Sequence, residues 1–223
     1  MTRVSSDTTD LALPRRLSAT AVAAWLIAAL VAGGAGVFDR PGRPPFELLG
    51  FVVVPMAAFG TAYFASRTFR AFAASVKLTW LVGSHLWRLV GLGFIIGWYL
   101  GALPAGFAIP EGLGDIIAAL GAVALVRSLA AGATPRTWLV AWNVFGLVDL
   151  VTALLLGVLY SNGPLGLLSG DSVTTRPMVT FPVSLIPTFF VPLFILLHVL
   201  TFTRLSAATT LSSRPSAALS SSN

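Results

Sequence analysis

The chain has no cysteine in its 223 residues. Disulfides, thiolate metal sites and cysteine nucleophiles are therefore excluded. Charge is scarce as well. Asp, Glu, Lys and Arg make up 10% of the residues, against about 25% in an ordinary soluble domain. So few charges cannot cover a water-facing surface, which excludes a soluble globular enzyme. Disorder over the whole chain is excluded by the 56% apolar content, because disorder needs low hydrophobicity and high charge. Histidine is limited to His85 and His198, too few for a site of several histidines. No P-loop, HExxH or GxSxG pattern is present, and no soluble domain is available to hold a separate catalytic site.

What the chain does have is long apolar runs, with a mean hydropathy of +0.88. A membrane span needs about 20 apolar residues to cross roughly 30 Å of hydrocarbon. Six runs qualify: Leu17–Phe38, Phe46–Ser66, Thr79–Ala102, Leu113–Ala131, Trp138–Tyr160 and Phe181–Leu205. The predicted fold is an all-α, polytopic transmembrane helix bundle. Residues 1–16 form an N-terminal tail, and residues 206–223, rich in Ser, Ala and Thr, read as a disordered C-terminal tail. The first run exceeds the 7–15-residue core of a signal peptide, so it is expected to be retained as a span.

The net charge of +6 does not point to nucleic acid, because the basic residues flank the apolar runs. With a cytoplasmic N-terminus, Arg3, Arg15, Arg16, Arg67, Arg70, Lys77, Arg127, Arg136, Arg204 and Arg214 lie inside. Arg40, Arg43 and Arg176 lie outside, and Arg88 falls within a span. This bias predicts that both termini are cytoplasmic. Ala richness and Arg in place of Lys suit a bacterial inner membrane. The partner so implied is the lipid bilayer, with homo-oligomerisation open.

Between the spans, Phe69, Phe72, Val76 and Trp80 share one helical face, and Arg67, Arg70 and Lys77 share another. This predicts an interfacial amphipathic helix leading into the third span. Leu103–Gly112, with two prolines and two glycines, reads as an apolar loop folded over the outer ends of spans 3 and 4. A short pattern recurs: Gly112-Leu113-Gly114-Asp115 and Gly146-Leu147-Val148-Asp149, each followed by two aliphatics, any residue, Ala and Leu. The copies run in opposite directions through the membrane, as in the inverted repeats of some transporters, although nine apolar residues also match by chance. The stretches LPAGFAIPEGLGD, WNVFGLVDL and FPVSLIPTFFVPLFILLH resemble a group of uncharacterised bacterial multi-pass membrane proteins, over about Arg88 to Leu205. The resemblance implies a membrane fold and no activity.

Ionisable residues inside a bilayer cost about 2.5–3.5 kcal/mol each on insertion scales and persist when paired or functional. The candidates for an intramembrane polar cluster are His85, Arg88, Asn143, Asp149 and His198. At about 1.5 Å per residue, Arg88 and Asp149 lie at similar depth. An Arg88–Asp149 ion pair fixing helix register is one reading. An Arg88 that binds an anion, with Asp149 as counter-ion or proton carrier, is the other. His85 and His198 also match in depth, which permits axial ligation of a b-type haem, or simply two buried core histidines. Asp115 reads as a cap at the start of span 4, or, with Glu111, as an outer-side cation or proton entry group. Gly93, Gly97 and Gly101 form two GxxxG steps for close helix packing. Pro187 and Pro192 are expected to kink span 6.

Three function classes follow. Small-solute transport or ligand binding through the polar cluster is the preferred one, without a cofactor. A haem electron carrier using His85 and His198, and a non-catalytic envelope scaffold or sensor, are the alternatives.

Overall fold

The computed structural model describes residues 11–133, 135–169 and 173–212. Helices dominate, and there is no strand among the described residues. They are α1 (Ala12–Gly34), α2 (Phe46–Ala65), α3 (Arg67–Ser75), α4 (Leu78–Gly83), α5 (Leu92–Tyr99), α6 (Ala105–Ala130), α7 (Arg136–Leu159) and α8 (Val191–Ser212). A 3₁₀ segment, Ser84–Gly91, joins α4 to α5, and a π turn, Ile186–Phe190, leads into α8. Six helical stretches are long and apolar enough to cross a membrane: Ala12–Gly34, Phe46–Ala65, Leu78–Tyr99, Ala105–Ala130, Arg136–Leu159 and Ile186–Leu205. The protein is thus a six-span helical bundle of the expected class.

Several boundaries differ from the sequence reading. The first helix begins at Ala12, five residues before Leu17, and carries Arg15 and Arg16 in its first turns. The last helix runs on to Ser212, so residues 206–212 are helical, while 1–10 and 213–223 lie outside the described residues. Most consequential, the apolar loop predicted at Leu103–Gly112 is helix from Ala105 onward. Pro104 is the N-cap, and its carbonyl accepts from the N–H groups of Phe107 and Ala108. Pro110 falls in the second turn, where its missing N–H removes a single backbone bond. Membrane helices accommodate such a loss.

The amphipathic helix is real but shorter than predicted. Ser66 caps α3 by accepting from the Phe69 N–H at 3.1 Å, and Val76 and Lys77 are extended. The break separates Val76 and Trp80 from Phe69 and Phe72, and Trp80 is 71% exposed. Arg70 turns back to cap α2, donating to the Tyr63 and Phe64 carbonyls at 2.8 and 2.9 Å. Cations at a helix C-terminus satisfy its unpaired carbonyls in this way.

Prolines shape the sixth span. Residues 181–184 are turn and include the cis Phe181–Pro182 bond, and Pro187 lies within the π turn. Pro192 has no N–H to give to the Thr188 carbonyl four residues back. The Trp25 indole on α1 donates to that carbonyl instead, at 3.1 Å. The proline thus creates an acceptor, and α1 docks on it.

Span 3 with its 3₁₀ insert and α6 form the centre of the bundle. α6 packs against the 3₁₀ segment, α4, α5 and α7, and Trp142 on α7 donates to the Ala118 carbonyl at 2.9 Å. The glycines that allow close approach are not those of the GxxxG stripe. A Cβ at Gly93 or Gly101 would meet nothing, one at Gly97 would meet Leu103 in the chain just beyond the helix, and Gly101 has φ +71°. Gly101 ends the helix in the left-handed region that glycine favours. The true crossing is Gly91 on Gly112, where a Cβ at Gly91 would lie 3.0 Å from the Gly112 carbonyl oxygen.

A buried arginine at the foot of a cleft

The 3₁₀ segment is what aims the polar groups. With three residues per turn, residues at i, i+3 and i+6 eclipse, whereas an α-helix would fan them out by about 60° per step. His85, Arg88 and Gly91 therefore form one straight buried line, all facing the interior. Eight residues is long for a 3₁₀ run, and such mid-helix runs mark strain or function.

Arg88 is fully buried. Its Nε donates to Asp115 Oδ1 at 2.7 Å, and its Nη2 is paired with Asp149 Oδ2. Nη1 reaches toward the Gly146 carbonyl at 3.5 Å. Asp115 is thus no helix cap. Because α6 starts at Ala105, Asp115 lies about 15 Å along it, at the depth of Arg88. The predicted Arg88–Asp149 pair is part of a three-residue cluster that the sequence reading did not assemble. Glu111, 2% exposed, lies one turn before Asp115 on the same helix.

The G-L-x-D pattern underlies this arrangement. Its two aspartates, on α6 and α7, converge on one guanidinium. Its glycines open the space. Gly112 meets Gly91, and a Cβ at Gly146 would run into the His198 ring and come within 3.1 Å of Arg88 Nη1. The recurrence was the signal in the sequence that could have identified Asp115 as the second partner of Arg88.

Beyond Arg88, His85 and His198 lie with ring centroids 4.0 Å apart, planes at 36°, against Trp142 and Phe194. Asn143 is fully buried and orders His198. Its Nδ2 donates to the His198 carbonyl at 3.0 Å, and its Oδ1 lies 2.7 Å from His198 Nδ1. Since that oxygen can only accept, Nδ1 carries the hydrogen and Nε2 of the neutral ring carries the lone pair. Both nitrogens of His85 and Nε2 of His198 are buried without a hydrogen-bond partner among the described residues. A bis-histidine haem does not fit here. Its iron would sit between two nitrogens at about 2 Å from each, and rings this close leave no room for a porphyrin plane.

A cleft of about 100 Å³ leads to this cluster from one face of the bundle. Phe38, Leu48, Phe94, Phe107 and Leu154 line its walls, and Asp115 lies at its deep end. Asp39, Arg40, Arg43, Glu47 and Arg176 surround the mouth. Arg176 forms a two-pronged bond to Asp39 (3.2 and 3.0 Å), joining the α1–α2 loop to the segment before α8. The hydrogen bond to Asp39, then its charge, raises the Arg176 pKa above the usual arginine value. On the opposite face, Val82, Ala122, Leu125, Leu139, Trp142 and Leu205 close the bundle as an apolar cluster.

Among the described residues, no group of three His, Asp or Glu side chains is placed to hold a metal ion. Neither the curated proteins nor the solved structures contain a match to this chain. A family model does match residues 44–206, nearly all of the bundle after α1. The chain belongs to that family, DUF8737, a domain of unknown function.

Proposed function

We propose that the protein binds a small solute at the Arg88 cluster and passes it across the membrane. The observation that carries this reading is the double role of Asp115, which both lines the cleft and holds Arg88. A buried charge cluster is costly, and one reached by an open cleft is placed for a ligand. The apolar cluster on the far face supports passage, since a carrier is open on one side at a time. Arg88 already has two carboxylate partners, which disfavours a free anion as the ligand. The basic-residue bias supports an inner-membrane protein with cytoplasmic termini. The cleft would then face outward.

The absence of cysteine makes a direct test available. Ala153 lines the cleft and Leu125 belongs to the apolar cluster. Single-cysteine variants Ala153→Cys and Leu125→Cys, reconstituted in vesicles of known orientation, are exposed to a membrane-impermeant thiol reagent. Labelling of Ala153→Cys from the loop face, with Leu125→Cys protected, is expected. Slower labelling of Ala153→Cys from the other face as well would support passage, and labelling from the loop face alone would reduce the protein to a binder. No labelling from either face rejects the site.

A further inference from the structure

We propose that Glu111 and Asp115 form a proton-binding pair that exchanges one proton with water at the foot of the cleft. The inference rests on the cleft reading above and names what the site takes up.

The charge inventory of the cluster carries it. Glu111, Asp115 and Asp149 face a single guanidinium. Arg88 directs its hydrogen bonds to Asp115, Asp149 and the Gly146 carbonyl. Glu111 accepts no hydrogen bond and forms no ion pair among the described residues, yet it interacts electrostatically with both Asp115 and Arg88. It stands four residues before Asp115, so the two carboxyl groups share one helix face. Phe107 and Asp115, one turn before and one turn after Glu111, line the cleft, so Asp115 is the member of the pair that meets it. A carboxylate on a residue this buried, with no hydrogen-bond donor and one guanidinium shared among three acids, is unfavourable in hydrocarbon. A hard metal cation would require about six or more oxygen ligands, and among the described residues no three acidic or histidine side chains are grouped to hold one. A proton needs only one lone pair.

The second observation lies across the guanidinium. His198 is fully buried, and its unpartnered Nε2 adjoins Arg88 over the Gly146 backbone. When the carboxyl pair takes up a proton, an O–H bond forms at one oxygen and the formal charge of the three acids plus Arg88 falls from −2 to −1. The pull on the Arg88 Nε–H from Asp115 weakens. His198 Nε2 offers the guanidinium an alternative acceptor, while Asp149 keeps Nη2. Release of the proton to water reverses each step. The titratable groups facing Arg88 are thus the carboxyl groups of Glu111 and Asp115 on α6 and Asp149 on α7, and the imidazoles of His198 on α8 and His85 on its own segment.

The test is infrared difference spectroscopy of the full chain in vesicles, between two pH values at constant sodium and potassium. The C=O stretch of a protonated carboxyl group is expected to gain intensity at the lower pH and to shift in D₂O. Glu47 and Glu111 are the only glutamates, and Glu47 sits at the exposed mouth. ¹³C-glutamate labelling of the unmodified protein should therefore move the band. Glu111→Gln, isosteric with the protonated acid, should abolish it and leave the melting temperature unchanged. No pH-dependent band, a band unmoved by the label, or one removed by sodium or potassium at fixed pH overturns the proposal. Survival of the band in Glu111→Gln does so too. A labelled Ala153→Cys without the band rejects the proton pair alone. An unlabelled cleft rejects the site reading itself.

Discussion

The Asp149 carboxylate lies directly over the backbone of Gly114, and a Cβ at that glycine would fall 2.7 Å from the carboxylate carbon. α6 therefore makes room for the acid of α7 at one residue and supplies its own acid at the next. Gly114→Ala should force Asp149 away from Arg88. Overpacking of this kind costs about 1–3 kcal/mol, a fall of several degrees in the detergent melting temperature for a chain of this size. Gly93→Ala, where a Cβ meets nothing, should stay within about 0.5 kcal/mol. Equal melting of the two variants would contradict the packing described.

Removing the charge of Arg88 alone should be far worse than removing all three charges. Arg88→Met leaves Asp115 and Asp149 facing each other without a cation. Breaking a buried ion pair by loss of one partner costs about 3–5 kcal/mol. The triple variant Arg88→Met, Asp115→Asn, Asp149→Asn removes the cause, and most of that loss should return. Thermal melts with size-exclusion profiles decide it. A triple variant as unstable as Arg88→Met would show that the cluster is not an electrostatic unit.

Asn143 is expected to hold the tautomer of His198. In Asn143→Leu the Nδ1–H and the His198 carbonyl both lose their partner, a loss of about 1–3 kcal/mol for buried polar groups left unsatisfied. ¹⁵N spectra of labelled histidine should show the Nδ1–H form of His198 in the unmodified protein and a mixture in the variant.

The lipid-crossing architecture was legible because six apolar runs leave few alternatives once charge is so scarce. Depth arithmetic along regular helices also brought His85 level with His198 and Arg88 level with Asp149. It failed at Asp115 for one local reason. Pro104, Pro110 and the neighbouring glycines read as a loop, which sets the expected helix start at Leu113, eight residues after Ala105, and puts Asp115 at its end. The 3₁₀ winding at Ser84–Gly91 was not legible either. Its side-chain pattern at i, i+3 and i+6 also fits an α-helix, and the winding ends at the close Gly91–Gly112 contact, which only the packed structure shows. The GxxxG stripe misled because spacing does not reveal which helix face meets a neighbour and which meets lipid.

The mouth of the cleft should respond to salt and not to pH on its arginine side. A raised pKa means that the Arg176 contribution is complete at low pH and lost only as pH climbs through that elevated value, so the guanidinium stays charged from about pH 5 to 9. The pair is exposed and therefore screened by added salt. Labelling of Ala153→Cys should speed up in high salt, and Arg176→Gln should show the fast rate at low salt with little further effect of salt. A rate indifferent to both would mean that the Asp39–Arg176 bond does not restrict entry.

The docking of α1 on α8 offers a double-mutant test in which two changes compensate. Trp25→Phe removes the donor to the Thr188 carbonyl and leaves a buried acceptor that Pro192 cannot serve, at a cost of about 1–3 kcal/mol. Pro192→Ala restores a backbone N–H four residues from that carbonyl, which then competes with Trp25 for it. In the Pro192→Ala background, Trp25→Phe should therefore cost much less than in the unmodified chain. The coupling should be of the size seen between residues sharing one hydrogen bond, about 0.5–3 kcal/mol. Melting temperatures of the four proteins in the cycle measure it. Additive effects would mean that the indole is held by its packing on Phe189, with ring centroids 4.9 Å apart, and not by the acceptor that the proline leaves free.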